Sequence, residues 1–396
     1  MRAYNEQWVY NWEVVRQSER WHRQKLLTDA QMAAIEQNYP IGFRRTNGFI
    51  EIGLFLFTTV TILGVYLLLN TIFSGLLSER STYSIFNVVF GIFIGIVGQV
   101  LINRQQLYHN GVDNAFAVTL TGFLAFGLNQ LLPTGLSVAT HCLFTLPLLI
   151  LVLWYYSDTL IAFLTLATFY AFVFDKTLDF SWGRTALPFI IMSVSLIVYF
   201  MTKRLTRLTA KQPCYTDSIN LAQWIALVML AAGGNYFVVR ELNGVLLKPI
   251  PDVAPPIGLS GLFWLLTFAI PIGYIQQGLT RKNRMLIILG EVGLIGATMT
   301  IHKYVGLLAL NTFLTVLGLA LIGLAVAGIR YLRSGTPGQS KHGFTDDPDE
   351  DSPDNLLVNA QTIAAIQAAS GTQQGPKDSL RFGGGEFGGG GSEGKY

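Results

Sequence analysis

About ten stretches of mostly apolar residues, each roughly 17 to 25 long, run between Gly48 and Gly328 with short polar breaks between them. An α-helix rises about 1.5 Å per residue, so ~20 such residues match the roughly 30 Å hydrocarbon core of a bilayer. Inside lipid the backbone N–H and C=O groups must be satisfied within the protein, which makes helices the solution for runs of this length. The pattern predicts an all-α polytopic transmembrane bundle of about ten helices. Spans are expected at 48–70, 83–102, 112–132, 135–156, 158–174, 185–202, 219–239, 257–277, 285–301 and 304–328. The third is the most polar, with Asp113, Asn114, Asn129 and Gln130, and the fourth and fifth are separated only around Ser157.

Charged residues make up 13% of the 396, about half the roughly 25% of an ordinary soluble domain, and most of them fall in the breaks. A charge at the bilayer centre costs roughly 2.5–3.5 kcal/mol or more, which accounts for that placement. The formal charge of +3 is too small to argue for a nucleic-acid partner. Its distribution reads as orientation. With the N-terminus inside, the inner segments hold seven Lys and Arg before the first span, then Arg104, then Lys203, Arg204, Arg207 and Lys211, then Arg281, Lys282 and Arg284, and six after Gly328. The outer segments hold Arg80, Lys176, Arg184, Arg240, Lys248 and Lys303, so both termini are expected on the cytoplasmic side. Cys142 lies in an apolar span and Cys214 in a basic loop, so no disulfide framework is expected and neither has metal-ligand spacing. Residues 1–47 contain no apolar run of the signal-peptide kind.

Three regions follow. Residues 1–47 read as a small cytoplasmic helical cap: Trp8, Trp12, Val15, Glu19, His22 and Leu26 recur at helical spacing. A second cap helix is punctuated by Thr28 and Gln31 at capping-box spacing, by Leu27 and Met32 at staple positions, and by Pro40. Residues 48–328 are the bundle. Residues 329–396 read as a disordered cytoplasmic tail with an acidic run from Asp346 to Asp354, a short helix between Ser352 and Gly371, and a Gly-rich end. The acidic run begins like a calcium loop with Asp347, Asp349 and Asp351, but Ser352 and Val358 stand where Gly and Glu are required.

Polar residues inside spans nominate a pathway. Glu291 lies six residues into the ninth span, roughly 9 Å into the hydrocarbon at about 1.5 Å per residue, where an ionisable group points to a function such as accepting a proton. Thr315 and Asn311 on the returning tenth span are its candidate neighbours. Asn87, Asn129, Gln130, His141 and Asn235 all fall in the outer third of their spans and are candidates to line an outward vestibule, with His141 able to change charge near neutral pH. Gly233, Gly234 and Asn235 interrupt the seventh span, and Pro147, Pro188 and Pro271 lie inside the fourth, sixth and eighth. Walker loops, HExxH and paired CxxC are absent from the sequence, so no cofactor and no metal are expected.

Two resemblances add to this. Gly258, Leu259, Ser260 and Gly261 spell GxSG, followed by His302, which resembles the arrangement of rhomboid intramembrane proteases; that resemblance implies Ser260 as nucleophile and His302 as base. Here the histidine stands beside Lys303 at a span end, unlike that family. The stretch from Trp21 through LLTDAQMAAIEQNYP (Leu26–Pro40) to Arg44, Arg45 and the first apolar span resembles the opening of the bacterial membrane protein family catalogued as domain of unknown function 2157. That resemblance implies a cytoplasmic helical region ahead of many spans in a bacterial plasma membrane, and no assigned activity. The bilayer is the expected partner, with a protein partner at the cytoplasmic tail as a further expectation. Two functions fit: permeation or transport of a small solute or proton, favoured by the number of spans, and a membrane scaffold or sensor acting through its termini.

Overall fold

The computed structural model describes residues 3–44, 48–208, 213–247 and 253–306, together with scattered helical positions between 311 and 330. Among the described residues the regular structure is entirely helical. The cap comprises α1 (Glu6–Arg23) and α2 (Asp29–Asn38). Asn5 caps α1 by accepting from the Gln7 and Trp8 amides. The Thr28 and Gln31 capping box opens α2 as the spacing predicts, and Met32 is buried. In α1 the buried face is rotated from the expected stripe: Val9, Asn11, Val15 and Ser18 are buried, while Trp8 and Trp12 are half-buried. Asn11 turns inward because its side-chain amide donates to the Pro40 carbonyl at 2.8 Å, tying α1 to the chain leaving α2.

The bundle follows as α3 (Gly48–Ile72), α4 (Arg80–Gln105), α5 (Val112–Leu131), α6 (Val138–Tyr156), α7 (Thr159–Leu178), α8 (Gly183–Leu208), α9 (Thr216–Gly234), α10 (Tyr236–Val245), α11 (Ser260–Arg281) and α12 (Arg284–Val305). Sequential helices pack as hairpins: α4 on α5, α6 on α7, α8 on α9, and α11 on α12. One apolar core joins α3 to α7 with the start of the chain, and a group of smaller ones joins α7 to α12. The tight turn between α6 and α7 is made by Ser157 at φ 53° followed by Asp158, whose carboxylate accepts from the Ile161 amide.

Among the described residues seven helices are long and apolar enough to cross a membrane: α3, α4, α6, α7, α8, α11 and α12. Two expected spans differ in kind. The third forms a helix, α5, but a polar one that falls outside those seven; eight of its residues are buried, Asp113 and Thr121 among them. Packed against α3, α4, α6 and α7, it meets protein over much of its length, so it needs less apolar surface. By contrast α3 buries only Ile62 and Tyr66, which leaves an apolar surface suited to lipid. The seventh expected span is broken: α9 and α10 meet at Asn235 with a bend of 77°, making an eighth crossing if counted as one. The tenth, at 304–328, lies largely outside the described residues, as do the tail, its acidic run and its short helix.

Candidate functional site

The break between α9 and α10 is written in Gly233, Gly234 and Asn235. A Cβ on Gly233 would lie 2.9 Å from Met192 Cγ, and one on Gly234 would strike Ile270 Cδ1, so the glycine pair lets the end of α9 enter between α8 and α11. Breaking a helix frees backbone groups, and here neighbours satisfy them. The Tyr236 amide donates to Thr267 Oγ1 on α11 at 2.9 Å. Asn235 Oδ1 accepts from the Val238 amide at 3.2 Å, capping α10, and from Thr300 Oγ1 on α12 at 3.4 Å. The bend is thus held from two other helices.

Beside it lies a cavity of about 330 Å³, walled by the start of α8, by α10, and by the loop leading into α11. Leu187, Leu242, Leu246 and Phe263 give it apolar walls, and Arg184, Thr185 and Asn243 give it polar groups; among the described lining residues Arg184 is the one charged side chain. This volume lies at the lower end of the ≈300–1,000 Å³ typical of small-molecule sites, and the mixture of apolar wall with few polar groups is typical too. The loop wall is pinned to α10, since Arg240 Nε donates to the Ala254 carbonyl at 2.9 Å. The same guanidinium sits 4.4 Å from the Tyr304 ring centroid. Tyr304 donates to Glu241 Oε1 at 2.8 Å, and Lys303 Nζ lies 3.0 Å from that oxygen. These contacts tie α10 to the end of α12.

The expected vestibule residues divide among separate hydrogen-bonded groups. His141 and Asn129 are brought together: Asn129 Nδ2 donates to the Ala125 carbonyl and to Thr145 Oγ1, each at 2.7 Å, which turns Oδ1 towards His141 Nδ1 at 2.9 Å. That geometry requires His141 to donate from Nδ1. Asn87 is wholly buried elsewhere, accepting from Tyr66 at 3.0 Å beneath a Tyr66–Tyr83 hydroxyl contact of 2.8 Å. Asn235 belongs to the helix break. Gln130 uses its backbone carbonyl to accept from Arg80 Nε at 3.0 Å. Glu291 is exposed on α12, and Asn311 and Thr315 are exposed as well; among the described residues no hydrogen bond joins Glu291 to either. Thr315 instead donates to the Asn311 carbonyl. Ser260 opens α11, while His302 stacks on Phe313 with centroids 4.6 Å apart; among the described residues its buried Nδ1 has no hydrogen-bond partner and no hydrogen bond joins it to Ser260.

A second polar centre, not expected from the sequence, ties the cap to the bundle. Asp113 is fully buried and accepts from the Tyr4 hydroxyl and the His109 amide, each at 2.8 Å, and from the Asn110 amide at 3.0 Å. Gly111 at φ 90° allows this turn, and a Cβ there would strike the Glu51 carbonyl of α3. Burial, then the nearby Asp113 carboxylate, pushes the Tyr4 hydroxyl well above its ordinary range. The Asp158 carboxyl, only 2% exposed, is also raised, first by burial. The available signal was the presence of Asp113 and Asp158 at the starts of two expected spans, where an acid within the first turn is also ordinary capping. Among the described residues no cluster of His, Cys, Asp and Glu is arranged to hold a metal ion.

The chain matches no protein-family model, no curated protein and no solved structure. Its class rests on the fold: among the described residues, regular structure that is all helical, with seven helices of bilayer-crossing length and apolarity.

Proposed function

We propose that this is a multi-pass membrane protein that binds and passes a small amphipathic solute through the α8–α12 half of its bundle. The observation that carries the reading is the 77° break between α9 and α10 directly beside a cavity of about 330 Å³. Broken helices at solute sites are a recurring device of transporters, because a bend at a fixed point lets one helical half move against the rest. Arg184, the one charged side chain among the described lining residues, favours an organic anion, whose apolar part would rest on Leu242, Leu246 and Phe263. In this reading the termini are cytoplasmic, the membrane is a bacterial plasma membrane, the cavity opens outward, and the opening of the chain belongs with the family catalogued as domain of unknown function 2157.

Asn243 supplies a test, since it lines the cavity and is half-buried. With Cys142 and Cys214 replaced by Ser, Asn243→Cys in intact cells is expected to react with a membrane-impermeant maleimide and to be protected by benzenesulfonate. A thiol that reacts only after the membrane is opened, or whose reaction no anion slows, contradicts the reading.

A further inference from the structure

We propose that the cavity between the cap and the end of α4 is a binding site for a quinone ring. It measures about 280 Å³ and lies between the chain entering α1, the chain leaving α2 and the last turn of α4. Trp8 and Phe43 line one part of it, and Ile102 and Leu107, both buried, line another. The two aromatic side chains are fixed by their neighbours. The Trp8 indole packs on Gly42, where a Cβ would come within 2.6 Å of it, and meets Phe43 edge to face with centroids 5.4 Å apart. Phe43 in turn stacks on Tyr108 at 4.7 Å. Flat rings held in this way suit a flat ligand.

Two side-chain amides of the lining narrow the chemistry. Asn5 Oδ1 accepts from the Gln7 and Trp8 amides at 3.0 and 3.4 Å, so its oxygen and its amine cannot change places. Asn103 is fixed at one remove. Gln99 Nε2 donates to the Ala3 carbonyl at 3.2 Å, and the same amine donates to Asn103 Oδ1 at 3.1 Å. Both asparagines thus use their oxygen inside the protein and offer N–H to the cavity; among the described residues neither amine has a hydrogen bond. The Gln106 side chain, also in the lining, can turn either way and adds no preference. Two oriented donors beside aromatic and aliphatic walls suit a flat ring that carries acceptors alone. A quinone has a carbonyl on each of two opposite edges, whereas a nucleobase also carries N–H groups that would face these amines. Because α4 is long and apolar enough to cross a membrane, its end lies at headgroup depth, which a quinone reaches from the bilayer. The proposal is one of binding, without electron transfer, and does not depend on the transport reading.

The test uses the full chain in phosphatidylcholine nanodiscs with duroquinone, whose ring carbons are all substituted, so that Cys142 and Cys214 do not add to it. Duroquinone is expected to slow hydrogen exchange in residues 3–9 and 102–107 several-fold and saturably. Durene, the same methylated ring without carbonyls, should give no such protection. Asn5→Asp and Asn103→Asp each keep the oxygen that holds the local structure and remove the donor. Each should raise the half-saturating duroquinone concentration about tenfold or more. Either variant decides if the other fails to fold, and the durene comparison needs neither. Equal protection by durene, which shows apolar filling alone, overturns the proposal, as does unchanged half-saturation in the variants. So does stronger protection by adenine, which identifies a nucleobase site, and so does the absence of any protection.

Discussion

Asp158 shows how one buried acid governs a pH response. Burial raises its carboxyl above the ordinary range, with Asp113 adding to the effect after the opposing hydrogen bond from the Ile161 amide. The folded protein therefore holds that proton to a higher pH than the unfolded chain does, and the associated stability is lost as pH rises through the unfolded and then the folded value. Asp158→Asn keeps a capping side chain on α7 and cannot ionise, so its melting temperature should exceed that of the wild type by a margin that widens from about pH 4 upward. A margin independent of pH would count against this account. Tyr4→Phe should leave Asp113 Oδ2 with the His109 amide alone and cost about 1.5–3 kcal/mol, seen as a lower melting temperature and faster hydrogen exchange in α1. Little of this was legible beforehand. A sequence gives the depth of a polar residue and not its partner: Asn129 and His141 share a hydrogen bond, while Asn87, expected at similar depth, bonds to Tyr66 in another part of the bundle.

The helices themselves were largely legible, because bilayer-length apolar runs and punctuation such as Ser157 or the Thr28 capping box are local properties of the chain. What a helix meets is not local. Hydropathy registered the polarity of α5 without revealing that other helices pack against it, and it drew α9 and α10 as one rod because both halves are apolar enough to belong to one. Close helix packing gives a direct check. A Cβ on Gly290 would lie 2.8 Å from the Pro271 carbonyl oxygen and 2.5 Å from Ile275 Cγ1, so α11 and α12 must separate to admit it. Gly290→Ala should therefore destabilise the folded protein by about 1–3 kcal/mol in thermal unfolding, whereas Gly296→Ala, with open space on the same helix, should not. Equal effects at the two positions would show that α11 and α12 are not so closely packed.

At the scale of the whole molecule, the α3–α7 part is tied to the cap through Tyr4 and Asp113, while the α8–α12 part holds the helix break and the cavity. The sequence nominates Glu291 for a pathway; it is exposed on α12, and the cavity gathers Arg184, Thr185 and Asn243, which lie near the ends of their helices, where polar residues are ordinary. The most direct measurement is uptake of radiolabelled benzenesulfonate, which remains ionised and crosses lipid poorly, into proteoliposomes of the purified protein. Saturable uptake above that of empty liposomes, reduced at least tenfold by Arg184→Gln as expected when roughly 1.4 kcal/mol or more of charge-assisted binding is lost, is the predicted result. Uptake equal to that of empty liposomes, or unchanged by Arg184→Gln, would contradict it.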